Sequence, residues 1–238
     1  MQLFYSPLWS QTEPFFLSEE ESRHCISVLR HQMGDKIHIV DGKGSKVLCE
    51  IIIAHPKKTQ LRFLETIETN QKPSYLHIAI SPTKSNDRFE WFLEKACEIG
   101  VGKITPLICQ RTERSKVNLD RWNKIIQSAC KQAQVLYFPL LEEPVKFEKF
   151  ITSCSENTLI ASIEAKKKIS DSSKTDNKTI VIGPEGDFSE EEFQMIRQLG
   201  LKEVSLSENV LRVETAGLVG LTQIKFLTES TEDTEELV

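Results

Sequence analysis

The chain has 238 residues, 39% of them apolar and 27% charged, the profile of one or two globular domains and not of a disordered or fibrous chain. Its net charge of -5 comes entirely from residues 229–238, ESTEDTEELV, which hold five acids and no base; the rest of the chain balances 30 basic against 30 acidic side chains. That balance excludes a uniformly basic nucleic-acid coat, and six scattered cysteines with no C-x-x-C pair or clustered histidines exclude a legible zinc ribbon or dithiol motif.

The thiol spacing fits a reduced, cytoplasmic setting, and no metal is expected. The opening MQLFYSPLWSQTEP lacks a basic segment followed by an apolar core, and no apolar run approaches the ~20 residues of a membrane span. Between Phe16 and Leu29, LSEEESRHCISVLR predicts a short helix, with Ser18 and Glu21 in capping-box spacing. Strands follow. Ile37, Ile39, Val47 and Ile51 alternate with polar neighbours around turns at Gly34-Asp35 and Asp41-Gly42-Lys43-Gly44, and TQLRFLETI keeps the period through Leu61, Phe63 and Leu64. A small β-barrel with one helix is expected here.

The polar stretch Asn70-Gln71-Lys72-Pro73 reads as a boundary between domains at 1–72 and 73–228, with 229–238 as a solvated, frayed acidic tail. Beyond it, strands and helices alternate. LHIAISP is a strand; Phe89, Phe92, Leu93, Ala96 and Ile99 recur at helical spacing and stop at Gly100. KITPLIC is the next strand, and Trp122, Ile125, Ile126, Ala129 and Ala133 mark the next helix. TLIASIEA and KTIVIGPEG are further strands, separated by the polar surface loop Lys166 to Lys178. A helix then opens with a Ser189/Glu192 capping box and a Phe188/Phe193 staple. EVSLSE is the last strand and ETAGLVGLTQIKFL the closing helix. Such alternation predicts an α/β domain with a parallel sheet.

Three features carry chemistry. Gly183-Pro184-Glu185-Gly186 lies at a strand's carboxyl end before a capped helix, where open α/β sheets place ligands; an ordinary strand-to-helix turn reads equally well. It lacks the lysine of a P-loop and the spacing of G-x-G-x-x-G. In LSENVLRVETAGL, Arg212 and Glu214 flank one apolar residue, a pattern that fits a local salt bridge or a catalytic couple. Gly217 and Gly220 mark a face against which a backbone or ring packs closely, at a symmetric interface or within one chain. Residues 110–134 carry Arg111, Arg114, Lys116, Arg121, Lys124 and Lys131 against Glu113 and Asp120. This local excess, extended by Lys84 and Arg88, is a candidate phosphate-contact surface or a plain solvated face.

HCISVLRHQMGD, FEWFLEKACEIGVGKITPL, IGPEGDFSEEE and VSLSENVLRVETAGL, in this order, resemble the RsmE family of ribosomal RNA uridine-N3 methyltransferases over nearly the whole chain. The resemblance implies a PUA-like β-barrel followed by a SPOUT-type, trefoil-knotted α/β domain that works as a homodimer. It implies S-adenosylmethionine as cofactor and 16S rRNA of the small ribosomal subunit as substrate, with no membrane or metal partner. The expected cofactor contacts are Ile163, Glu164, Gly183, Pro184, Glu185, Gly186, Leu206, Ser207, Asn209, Val210 and Leu211. Arg212 is expected to stabilise the developing uracil anion, Glu214 to orient it or act as base, and Arg114 to supply a second cation. Arg30, Lys84, Arg88, Arg111 and Lys116 are the expected RNA contacts.

The sequence departs from the family pattern in places. KQAQVLYFP lacks a usual basic residue after Gln134, Asn209 stands where a lysine or arginine is usual, and Val213 where threonine is usual. The departures fit a non-catalytic RNA-binding relative, or an enzyme for another RNA site, as well.

Overall fold

A computed structural model describes residues 2–69, 74–171 and 179–235. The chain divides into two compact units, Met1–Pro73 with Gln127–Phe138, and Ser74–Ile126 with Pro139–Val238. The expected boundary residues Asn70 to Pro73 and positions 172–178 of the polar loop lie outside the described residues.

The first unit contains β1 (Leu3–Tyr5), β2 (Phe15–Phe16), α1 (Glu19–Arg23), β3 (Lys36–Val40), β4 (Ser45–Ile53) and β5 (Gln60–Thr69). Its strands form a half-barrel in the order β1-β3-β4-β5-β2, with β1 parallel to β3 and the other neighbours antiparallel. The period of two places Ile37, Ile39, Val47, Ile51 and Leu61 on one face, where all are buried with Phe4, Leu17 and Cys25. Leu64, read with them from the sequence, faces solvent instead. The expected capping box on α1 is half made. Ser18 Oγ accepts from Glu21 N at 3.2 Å, but the buried Glu21 carboxylate pairs with Lys131 instead of reaching back. The helix then widens into a π-helical turn, His24–Val28.

Residues 127–138 complete this unit. Phe138 N donates to Gly42 O (2.9 Å), Gly44 N donates to Leu136 O (3.1 Å), and the Phe138 ring stacks on Tyr5 at 5.0 Å. Gly42 is required twice over. Its φ of 71° is left-handed, and a Cβ there would lie 3.1 Å from the Phe138 ring.

The second unit contains β6 (His77–Ile80), α2 (Asn86–Ile99), β7 (Lys103–Ile108), α3 (Leu119–Ala133), β8 (Leu140–Leu141), β9 (Val145–Lys146), α4 (Phe147–Ile151), β10 (Thr158–Ala161), β11 (Thr179–Ile182), α5 (Glu190–Gln198), β12 (Lys202–Val204) and α6 (Val213–Glu235). The C-terminal part of α3 belongs to the first unit. The sheet is parallel throughout, ordered β12-β10-β11-β6-β7-β8 with β9 also on β7. Both faces of such a sheet must be covered. On one face Phe147, Phe150 and Ile151 of α4 and Phe193 and Ile196 of α5 pack against Ala79, Leu107, Ile160 and Val181.

The small residues of α6 resolve a choice the sequence leaves open. A Cβ on Gly217 would lie 2.7 Å from the Phe92 ring and 2.9 Å from Ile80, and one on Gly220 would lie 3.1 Å from Ile180. The glycine face is thus filled from within the same chain, by α2 and the sheet. No glycine or proline follows Gly220 in the helix, whose backbone runs through residues 229–235 of the acidic segment. No helix among the described residues is long and apolar enough to cross a membrane, and all six cysteines are free thiols.

The amino edge of the sheet holds a polar relay. His77 Nε2 lies 2.8 Å from Thr105 Oγ1, which donates to Glu142 Oε2 at 2.5 Å; Nδ1 lies 3.1 Å from Thr179 Oγ1. Because Thr105 gives its proton to Glu142, it accepts from Nε2–H, and Nδ1 accepts from Thr179. Burial, with Lys103 adding and Glu142 opposing, pushes His77 down to about 4 from 6.5. Above pH 6.5 the imidazole is neutral folded or unfolded. As pH falls from 6.5 to 4 the unfolded chain takes a proton that the folded chain refuses, so stability is lost across that window, by roughly 3 kcal/mol. Urea titrations at pH 7 and 4.5 on wild type and His77→Gln check this: the variant should lose markedly less stability on acidification.

Candidate functional site

Strands β10, β11 and β12 are neighbours in the sheet, and the loops leaving their carboxyl ends enclose a cavity of about 310 Å3. Its walls are residues 161–163 after β10, residues 182–187 after β11 (Gly186 excepted), and residues 205–213 after β12, with Ala216 at the head of α6. Open parallel sheets bind ligands at this edge because consecutive loops part there. The last wall exists because β12 stops at Val204, short of the strand expected through Glu208. Ser205 N donates to Lys167 O (2.7 Å), Ser205 Oγ donates to Ser207 O, and Asn209 N donates to Ser207 Oγ, so side chains and a neighbouring loop replace the ladder. Gln223 of α6 ties this loop down through Leu206 O at 3.0 Å.

The loop after β11 is held from outside the cavity. Arg111 donates to Gly186 O (2.7 Å) and Phe188 O (3.2 Å). Glu192 completes the expected capping box with Ser189, and its second oxygen accepts from Gln110 N at 2.8 Å, joining the loop after β7 to the head of α5. The staple is present as well, with the Phe188 and Phe193 rings edge to face at 5.6 Å. Gly183 leaves room for Phe188, whose ring would lie 3.1 Å from a Cβ. Lys84 N donates to Glu185 Oε1 (3.1 Å), and Thr112 bridges Ser81 and Cys109 N at 2.8 Å each. The cavity wall is therefore pre-formed.

Its lining combines apolar groups with few charges. Ile182, Pro184, Leu206 and Leu211 form apolar walls, while Ile163 and Val210, 62% and 74% exposed, stand uncovered at the mouth. Ser162 Oγ is buried on the lining without a hydrogen-bond partner among the described residues. The charged lining residues are Glu185, Asp187, Glu208 and Arg212. Burial raises the Asp187 carboxyl above its usual range, helped by Glu164 and Glu203 and opposed by the Phe188 amide and Arg111.

A model of the RNA methyltransferase domain matches residues 70–225. The chain belongs to the RNA methyltransferase family. The RNA methyltransferase PUA domain is matched over residues 17–64. The ribosomal RNA small subunit methyltransferase E of Bacillus subtilis is 28% identical to this methyltransferase over 96% of its chain and 98% of the relative. A probable rRNA-methyltransferase from Porphyromonas gingivalis superposes with a TM-score of 0.88 at 32% identity, covering 97% of this chain and 100% of the other. A ribosomal RNA small subunit methyltransferase E from Neisseria gonorrhoeae, bound to S-adenosyl methionine, superposes with a TM-score of 0.85 at 28% identity, covering 96% and 98%.

In this methyltransferase the residues singled out from the sequence fall into four groups. Ile163, Gly183, Pro184, Glu185, Leu206, Ser207, Asn209, Val210, Leu211 and Arg212 line the cavity. Glu164 and Gly186 flank it; the Gly186 carbonyl is taken by Arg111. Glu214 is buried behind it, with Arg88 Nε at 3.8 Å, so its ion pair is made with α2 and not with Arg212. Of the basic residues, Arg111 braces the loop, Arg121 pairs with Glu90, Lys131 with Glu21 and Lys84 with Glu113 (2.8 Å), while Lys116 and Arg30 are exposed and Arg114 is half-buried. Sequence reasoning missed Ser162, Asp187 and Glu208 on the lining. Their only signal is adjacency to the strand ends, and Asp187 is also held at φ 58°, which the sequence does not display.

Proposed function

We propose that this chain transfers a methyl group from S-adenosylmethionine to N3 of a specific uridine in 16S rRNA of the small ribosomal subunit, acting in the cytoplasm as a homodimer. The observation that carries the reading is the cavity at the ends of β10, β11 and β12, in a fold whose solved relatives include one bound to that cofactor. The residues fit the group. Leu206, Val210, Leu211 and Ile163 offer apolar surface for a planar base, and the buried, unpartnered Ser162 hydroxyl offers a polar contact that a ligand would satisfy.

When bound, S-adenosylmethionine supplies a methyl carbon activated by the adjoining sulfonium. The chain's own task is to present uridine N3 to it and to favour loss of the N3 proton. Arg212, on the cavity lining, stabilises the negative charge that spreads onto the uracil oxygens as that proton leaves. Glu214 fixes Arg88 in place, Arg88 with Arg30, Lys84 and Lys116 contacts RNA phosphates, and Arg114 supplies a second cation besides Arg212. Arg111 serves RNA indirectly, by bracing the loop after β11. A second copy covers exposed apolar surface that includes Val210 at the cavity mouth.

Small subunits lacking the modification, incubated with labelled cofactor, should acquire one methyl group at N3 of a single uridine, mapped by nuclease digestion and mass spectrometry. A methyl on carbon or ribose, or none at all, would overturn the reading.

A further inference from the structure

We propose that Asp187 is the group by which the cavity recognises positive charge, so that the pocket prefers the sulfonium cofactor to the neutral thioether left after transfer. This rests on the proposed use of S-adenosylmethionine.

Four observations converge on Asp187. It is one of the residues that line the cavity. Its backbone sits at φ 58°, a left-handed conformation open to glycine and tolerated by aspartate at a cost, with its N–H donating to Pro184 O at 3.0 Å. Strain kept on a cavity wall points to use of the side chain. One carboxylate oxygen accepts from Phe188 N at 2.8 Å; the other accepts nothing among the described residues. Finally, the charges around it are mostly of its own sign. Glu185 and Glu208 share the lining with it against Arg212 alone, and Glu164 and Glu203 add negative potential from behind, with Arg111 the opposing cation.

Arg111 is the counter-charge outside the cavity, and Asp187 still has more negative than positive charge around it, a balance that a cationic ligand would redress. Glu185 and Glu208 are exposed and screened by water, whereas Asp187 is half-buried, so its field acts most strongly inside the cavity. The buried Ser162 hydroxyl without a partner is an independent mark of a missing ligand on the same lining. Methyl transfer turns a sulfonium into an uncharged thioether. The share of the attraction to Asp187 that the sulfonium supplies therefore ends with the reaction, and the product, left with its α-ammonium alone, is held less tightly.

Calorimetric titration of the full-length protein with S-adenosylmethionine, S-adenosylhomocysteine and sinefungin, whose amine puts a cation near the sulfonium position without a transferable methyl, tests this. Wild type should bind the two cations about tenfold more tightly than the thioether. Asp187→Asn, which keeps the shape, and Asp187→Gly, which also relieves the backbone, should both bring that ratio close to one while the thioether's affinity stays within about twofold. If wild type shows no preference, or Asp187→Asn keeps it, the inference is wrong and the proposed function stands. If wild type binds none of the three, the proposed cofactor falls first.

Discussion

Arg212→Ala should lower methyl transfer into small subunits by roughly 100- to 1000-fold at saturating RNA, with S-adenosylmethionine affinity changed by no more than about threefold. The asymmetry follows from where the charge develops. Uridine N3 is a weak nucleophile until its proton departs, and the negative charge then resides on the ring and its oxygens. A guanidinium on the cavity lining interacts with that charge far more strongly in the transition state than in the ground state. Losing one pre-placed donor of this kind costs about 3 to 4 kcal/mol of barrier. Arg212→Lys keeps the charge and loses the fork, and should fall between the two. Single-turnover kinetics with labelled cofactor measures the rate and calorimetry the binding. An Arg212→Ala protein with the wild-type rate would remove the residue from the mechanism.

The second large effect is on stability. Glu192 is 3% exposed, and its two oxygens accept from Ser189 N and Gln110 N at 2.8 Å each. Glu192→Ala leaves two backbone N–H groups without their acceptor in a dry place and removes the capping box of α5, an expected loss of about 3 kcal/mol. Glu192→Gln keeps one carbonyl oxygen and should lose about half as much. Urea denaturation reads both as lowered midpoints at unchanged slope. Because Glu192 links the loop after β7 to the head of α5, the alanine protein should also bind S-adenosylmethionine more weakly. A midpoint equal to wild type would show that water replaces the carboxylate at no cost.

What was legible in the sequence was mostly local. Phe188 and Phe193 are five residues apart and obey a rule of helix entry, so their staple was readable, as was the Ile37 to Ile51 alternation. The loop at 183–186 was readable as a ligand position because it directly follows a strand of a parallel sheet, whereas the segment 206–211 was named as a cofactor contact only through the family resemblance. Interactions that depend on a partner far along the chain were hidden. Glu21 has capping-box spacing, yet its carboxylate goes to Lys131, 110 residues away. Gly217 shows that something approaches closely, and only the packed structure reveals the Phe92 ring and not a second subunit. The two-residue strands β8 and β9 and the five-residue α4 are too short to carry a period of their own. Asp187 and Ser162 look unremarkable in sequence, because a backbone angle and an unfilled hydrogen bond are properties of the fold.

The membership of Gln127–Phe138 in the first unit has a consequence for how this protein can be taken apart. The N-terminal unit is not a detachable cassette. Its buried Leu136 and the Phe138 ring on Tyr5 and Gly42 come from sequence that lies inside the other unit's span. A fragment ending before Ser74 would expose the apolar surface that those side chains cover, and the remaining fragment would carry them with nothing to pack on. Recombination at the linker would therefore damage both pieces, so the two units are constrained to be inherited, expressed and engineered as one.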